Sequence, residues 1–382
     1  MCHHQGSAEG GTADDEMEPM MAVAVEKKLG LCATLGTHLK WADLVCINIH
    51  PKVVFRYHHS IADGIAIFRL FCKDFIDKTT TDVTNVWKYD SADKRSLWRI
   101  IGWKNVFRVM IRGPCFLVNE LFLKREDNPF HGSKPSMDKI ICWGGETPAK
   151  DVCSAPLISV IKKVKLLTVG CSFTDVFLTA LAMSLRSYFK RKSVHIPESI
   201  TVARMQRFQR ESKAIRLSNR STGVFQTLPI ADLPIAEAKL TTISKLVSQI
   251  NAVKDSNNNK MQSFAEALIS FFSVSYLPEL LPARIMRAIF AQSKFSIALS
   301  NIPAFESAIS VENYFLKEAA FWVPNIEHNM FGVSVLTTNG RLQIGLIADR
   351  KIMPHEEDLE IILQGTFKQL ENMHNILQRS AQ

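Results

Sequence analysis

The segment His58-His59-Ser60-Ile61-Ala62-Asp63-Gly64 places two adjacent imidazoles shortly before a carboxylate and a glycine. An imidazole with an ordinary pKa of about 6.5 can accept a proton near neutral pH and return it later. Transfer of an acyl group to a hydroxyl asks this of a base. His59 is the stronger candidate, because it stands four residues before Asp63. Gly64 admits a close approach of backbone or substrate where a side chain would obstruct. The same residues also fit a hydrogen-bonded histidine pair at a strand end. A metal held by His59 and Asp63 at helical spacing is a third arrangement, for which the spacing offers no further ligand.

The elements that must position these groups are legible nearby. Residues Leu44 to Ile49 and Val53 to Tyr57 read as strands joined by a turn at His50, Pro51 and Lys52. Behind the motif, Ile65, Phe68, Leu70, Phe71 and Phe75 recur at helical spacing. The histidines therefore sit where a strand hands over to a helix. Further along, KIICWGG predicts a strand, and two helices follow with a break near Gly170, the second over about Ser172 to Phe189. An antiparallel hairpin turns at Asn339 and Gly340, and an amphipathic helix ends the chain. No internal repeat appears.

With 382 residues, 47% of them hydrophobic, the chain can bury a sizeable core in one large or two medium domains. A net charge of +9 is a mild bias at this length, and no arginine-rich tract, RNP-like pattern or zinc-finger spacing points to nucleic acid. The eight cysteines form no CxxC pair and lie in the first half of the chain, which fits a reduced compartment. The start lacks the apolar core of a signal peptide, and no apolar run is long enough to span a bilayer. Residues 1–38, rich in small and acidic side chains, are expected to be mostly disordered. Residues Ser96 to Arg112 carry Arg99, Lys104, Arg108 and Arg112 among Trp98, Ile101, Phe107 and Ile111. Such a basic amphipathic helix either lies in a membrane interface or packs its apolar side on its own domain.

The segment HHSIADG resembles the HHxxxDG motif of the wax ester synthase / acyl-CoA:diacylglycerol acyltransferase family, within the chloramphenicol-acetyltransferase-like superfamily of CoA-dependent acyltransferases. KFSIALSNIPAFE, with Ser300, Asn301 and Pro303, is similar to the family's SNVPGP segment, with Ala304 and Phe305 in place of its following glycine. LTTNGRLQIGLIADRKIMP is similar to its closing strand pair and "aD" turn, and LSNRSTGVFQTLPI, with Asn219 and Pro229, to its central segment. SFTDVFLTALAMSLRSYF resembles its "ND" helix, with Thr174 before Asp175 where the family has asparagine. The resemblance runs from about Trp41 to the C-terminus.

The resemblance implies an α/β fold of two lobes, each a mixed sheet flanked by helices, the first incomplete. The expected division is a disordered segment 1–38, a partial N-terminal lobe 39–150 and a C-terminal lobe 151–382. It implies that His59 is the general base, His58 a supporting group and Asp63 a residue that holds the motif's geometry. Gly64, Ser300, Asn301, Thr174 and Asp175 are implied as substrate-binding residues. No metal and no cofactor are implied beyond acyl-CoA as co-substrate, and no covalent acyl-enzyme is required. The acceptor would be a long-chain alcohol or diacylglycerol, giving wax ester or triacylglycerol. Because few residues precede the motif, the alternative is a catalytically weak or inactive shortened form that binds lipid, membrane or a partner. Peripheral association with the cytosolic face of a membrane is expected, first the endoplasmic reticulum and second the plasma membrane. If the basic segment makes that contact, replacing Arg99, Lys104, Arg108 and Arg112 with glutamine should release the protein from anionic vesicles in a sedimentation assay. Unchanged partitioning would assign the segment to internal packing.

Overall fold

The computed structural model describes residues 2–3, 20–26, 42–47, 52–58, 62–74, 76, 107, 111, 128–131, 136, 138–146, 156–207, 217, 221–231, 242–260, 282, 284, 295–302, 309–311, 314–316, 318–325 and 329–381. The strands are β1 (Cys2–His3), β2 (Met20–Glu26), β3 (Ala42–Ile47), β4 (Lys52–His58), β5 (Lys139–Gly145), β6 (Ser199–Arg207), β7 (Ser221–Pro229), β8 (Ile297–Ile302), β9 (Ser310–Val311), β10 (Tyr314–Phe315), β11 (Ala319–Trp322), β12 (Phe331–Thr338) and β13 (Arg341–Asp349). The helices are α1 (Gly64–Asp74), α2 (Leu157–Leu166), α3 (Phe173–Lys192), α4 (Ile243–Lys260) and α5 (Glu356–Ala381).

A seven-stranded sheet runs in the order β1-β5-β13-β12-β8-β6-β7, and a four-stranded sheet in the order β11-β2-β4-β3. The large sheet is mixed: β8 lies parallel to both β6 and β12, and the remaining pairs are antiparallel. The small sheet is antiparallel in its described strands. Helices α2, α3, α4 and α5 cover one face of the large sheet with a core that includes Val160, Phe177, Leu185, Ile250 and Leu363. On the other face α1 and β11 pack through Ala62, Ala66, Ile67, Ala319 and Phe321 against Ala298, Ile302 and Leu336. Strands β8 and β12 are thus buried on both sides, which is why their sequences read as nearly continuous small and apolar runs.

The mixed α/β architecture is as expected. Residues 20–26, inside the segment expected to be disordered, form β2, because MMAVAVE finds hydrogen-bonding partners on both sides, β4 and β11. Strand β5 pairs with β13, and β11 pairs with β2, so strands early and late in the sequence share sheets. Apolar contact drives both pairings. Ala320 and Trp322 of β11 pack on Ile141, Trp143 and Ile347, with Trp143 and Trp322 edge to face at 5.5 Å. The hairpin turns as expected, with Asn339 and Gly340 at φ 52° and 67°.

Polar groups close the ends of the elements. The Glu146 carboxylate accepts from the Leu157 N–H (2.8 Å) and so satisfies the start of α2, whose own N-cap position is Pro156. At the end of β13, the buried Asp349 carboxylate accepts from Lys139 Nζ (2.5 Å), Ser136 Oγ (2.7 Å) and N–H (2.6 Å), and the Lys351 N–H (2.9 Å). Burial alone would push the Asp349 pKa up, but these donors together outweigh it and hold the carboxyl below the usual carboxylate range.

The depressed value means that the folded state binds this proton less readily than the unfolded chain. Its stabilisation is complete above the ordinary aspartate pKa of about 4 and fades as pH falls through the folded value. Asp349→Ala should therefore destabilise the protein by on the order of 3 kcal/mol at pH 7. In urea denaturation the gap to wild type should shrink on acidification below about pH 4. A gap independent of pH would remove the carboxylate as its source.

Candidate active site

Strand β4 ends at His58, which pairs with Met20 of β2. His59 and the side chain of His58 lie outside the described residues. Asp63 and Gly64 are described, and they fix how the motif leaves the sheet. Gly64 is the first residue of α1, and Asp63 stands immediately before it with its side chain buried. Asp63 Oδ1 accepts from the Ala66 N–H at 2.9 Å, satisfying one of the orphan donors of the helix start. Its Oδ2 accepts from Ser221 Oγ at 3.0 Å. One carboxylate therefore sets the first turn of α1 and ties it to the first residue of β7.

The alternation of β8 decides where the next candidates point. Ile297 and Leu299 belong to the core under the helices, whereas Ala298 and Ile302 belong to the core with α1. Ser300, two residues from each of Ala298 and Ile302, shares the α1 face and is half-buried. Asn301 falls on the opposite face. Ser300 therefore lies on the sheet face that α1 covers, and Asn301 on the side of the helical layer.

Thr174 and Asp175 occupy the first turn of α3 on that helical side. Ser172 is the N-cap, and its hydroxyl and Asp175 form a reciprocal capping box: the Asp175 carboxylate accepts from the Ser172 N–H (2.8 Å) and Oγ (2.6 Å). Arg204 of β6 pairs in register with Leu299, and shares the helical face with Ile200 and Val202. Burial lowers the pKa of the Arg204 guanidinium, and the Asp175 charge partly offsets this. Asp175, Arg204 and Asn301 accordingly line one side of β8 while Asp63, Ser221 and Ser300 line the other.

Two thiols lie on or next to the helices that carry these groups. Burial raises the Cys72 pKa to about 12. Cys171 is pushed to about 11, chiefly by burial and then by Asp175. Both remain protonated near neutral pH and are poor nucleophiles there. Gly223, two residues along β7 from Ser221 and on the same face, has open space where a Cβ would project. Among the described residues, no group of three or more His, Cys, Asp or Glu could hold a metal ion.

Sequence reasoning missed Ser221, Ser172 and Arg204. Ser172, three residues before Asp175, carried a local signal in the S-x-x-D capping pattern. Ser221 and Arg204 carried none, since one acts across 158 positions and the other reads as an ordinary polar residue of a strand. Asn219, Pro303 and the basic residues Arg99, Lys104, Arg108 and Arg112 lie outside the described residues.

The paired sheets, the strand-to-helix motif and the covering helices define an acyltransferase-type α/β fold. The wax ester synthase/diacylglycerol acyltransferase from Marinobacter aquaeolei VT8 superposes with a TM-score of 0.50 and 12% identity, over 87% of this chain and 71% of that one. The trichothecene 15-O-acetyltransferase from Fusarium sporotrichioides gives 0.52 and 11%, over 84% and 66%. Residues 222–371 match the model of the WS/DGAT C-terminal domain, in accord with the resemblance of the motifs. A comparison with curated protein sequences finds no match.

Removing the Asp63 carboxylate should cost the bonds to Ala66 and Ser221. Asp63→Ala is expected to destabilise by about 2 kcal/mol, and Ser221→Ala by about 1 kcal/mol. In the double variant the second change should add little, because both remove the same contact. Additive losses in urea denaturation would mean that the two side chains act independently.

Proposed function

We propose that this chain transfers an acyl group from acyl-CoA to the hydroxyl of a lipid alcohol, either a long-chain alcohol or diacylglycerol. The observation that carries the reading is the placement of the motif. His58 closes β4, Asp63 locks the first turn of α1, and α1 packs on the face of β8 that bears Ser300.

His59 is the general base in this reading. It takes the proton from the acceptor hydroxyl as that oxygen attacks the thioester carbonyl, and a tetrahedral oxyanion forms. Collapse of the oxyanion breaks the C–S bond, and the imidazolium returns its proton to the departing CoA thiolate. Ser300 on the α1 face is the hydroxyl best situated to donate to the oxyanion, a contribution of several kcal/mol in enzymes of this chemistry. His58 supports the base, and Asp63 acts as a positioning residue through its two bonds. Asn301, Thr174 and Asp175 lie across the sheet from Ser300 and take no part in this step. The protonated states of Cys72 and Cys171 favour direct transfer over a thioester on either residue.

The alternative is a catalytically weak or inactive form that binds lipid, membrane or a partner. Strand β4 is flanked by β2 and β3, so the strand that delivers the motif has a partner on each side. This favours the catalytic reading. Peripheral association with the cytosolic face of a membrane, the endoplasmic reticulum before the plasma membrane, completes the proposal. Phe107 and Ile111, four positions apart in the sequence, are 60% and 57% exposed, as an interfacial segment would present them. No helix among the described residues is long and apolar enough to cross a bilayer.

The test is esterification of labelled palmitoyl-CoA with hexadecanol and with diacylglycerol, comparing wild type with His59→Ala. Turnover should fall by about 10²-fold or more in the variant while its fold is kept. Equal turnover in both proteins, or none in folded wild type, would overturn the assignment.

A further inference from the structure

The turn between α2 and α3 presents two aliphatic side chains to water. Leu166, the last residue of α2, is 82% exposed, and Val169 is 93% exposed. The turn that carries them is tightly held. The Leu167 N–H donates to the Val164 carbonyl (3.0 Å), the Cys171 N–H to the Thr168 carbonyl (3.2 Å), and Lys254 Nζ of α4 to the Val169 carbonyl (2.7 Å). Thr168 and Cys171 are buried, and Gly170 adopts a left-handed φ of 74°. The chain reverses between two anchored residues and pushes Val169 outward.

The surroundings are basic. Helix α2 buries Leu157, Ile158, Val160, Ile161 and Val164, so its other side displays Lys162, Lys163, Lys165 and Leu166, all exposed. Residues 152–174 contain no aspartate or glutamate. Asp175, the next acid, is buried and committed to Ser172.

We propose that this turn is a docking surface for an anionic lipid bilayer. Leu166 and Val169 enter the boundary between headgroups and acyl chains, while Lys162, Lys163 and Lys165 lie among the lipid phosphates. The composition favours lipid over a protein partner. Protein interfaces are depleted in lysine and centred on aromatic residues, whereas an aliphatic tip ringed by lysines suits an acyl region capped by phosphates. The inference extends the lipid-substrate reading without depending on His59. The turn runs directly into Ser172 and the first turn of α3, so docking would hold the Thr174 and Asp175 end of that helix against the bilayer.

The experiment uses the full chain and sedimentation with vesicles of phosphatidylcholine, alone or mixed equally with phosphatidylserine. Wild type should bind the mixed vesicles and respond to salt. Replacing all three lysines with glutamine should weaken binding by about fivefold per lysine. The pair Leu166→Ser and Val169→Ser should weaken it about tenfold or more. The Val169→Trp variant should gain a blue-shifted emission that brominated lipids quench. Unchanged binding in both the serine and glutamine variants, or an emission gained by Val169→Trp that lipid does not quench, overturns the proposal. So does a self-association that the serine pair abolishes while vesicle binding persists. His59→Ala should bind vesicles as wild type does, and the serine pair should esterify a short, water-soluble alcohol at the wild-type rate. Failure of docking and failure of the catalytic assignment are thereby separable.

Discussion

Strand β8 is held between two parallel neighbours and buried on both faces, and the candidate site depends on that constraint. Its pairing with β6 and β12 fixes the register, and Ile297 and Leu299 on one face and Ala298 and Ile302 on the other fix the orientation. A slip of one residue would exchange every side chain between faces. Ser300 and Asn301 would trade places, and isoleucines would meet the wrong core. The apolar packing on either side is therefore what makes a polar residue at position 300 face the motif helix.

Much of the local structure was legible because it rests on local chemistry. The strand pair before the motif, the helical spacing after Asp63, the break at Gly170 and the Asn339-Gly340 turn each depend on a few neighbouring residues, and each is present. What escaped depends on partners remote in sequence. MMAVAVE sits in a stretch of small and acidic residues, and only β4 and β11 make it a strand. β11 is four residues long, and its place in the small sheet follows from the fit of Phe321 and Trp322 into two different cores.

The site shows the same division. His59 and Asp63 stood out by spacing, and Ser300 by resemblance, yet neither signal shows that Ser300 and Asn301 serve opposite faces. The Asp63 carboxylate was expected to hold the motif together. Its second bond, to Ser221, has no counterpart in local sequence, and the Asp175 charge that faces Arg204 joins a helix start to a strand by tertiary packing alone.

The placement of β11 bears on how the chain matures during synthesis. Residues 20–26 and 52–58 emerge early, but the edge that β2 offers is covered only when residues 319–322 arrive. Until then a nascent sheet carries an unsatisfied backbone edge, and β5 waits likewise for β13. Such long-range closure slows folding, and the protein's vulnerability to misassociation should be greatest on the ribosome and shortly after release, while the last strands are still undocked.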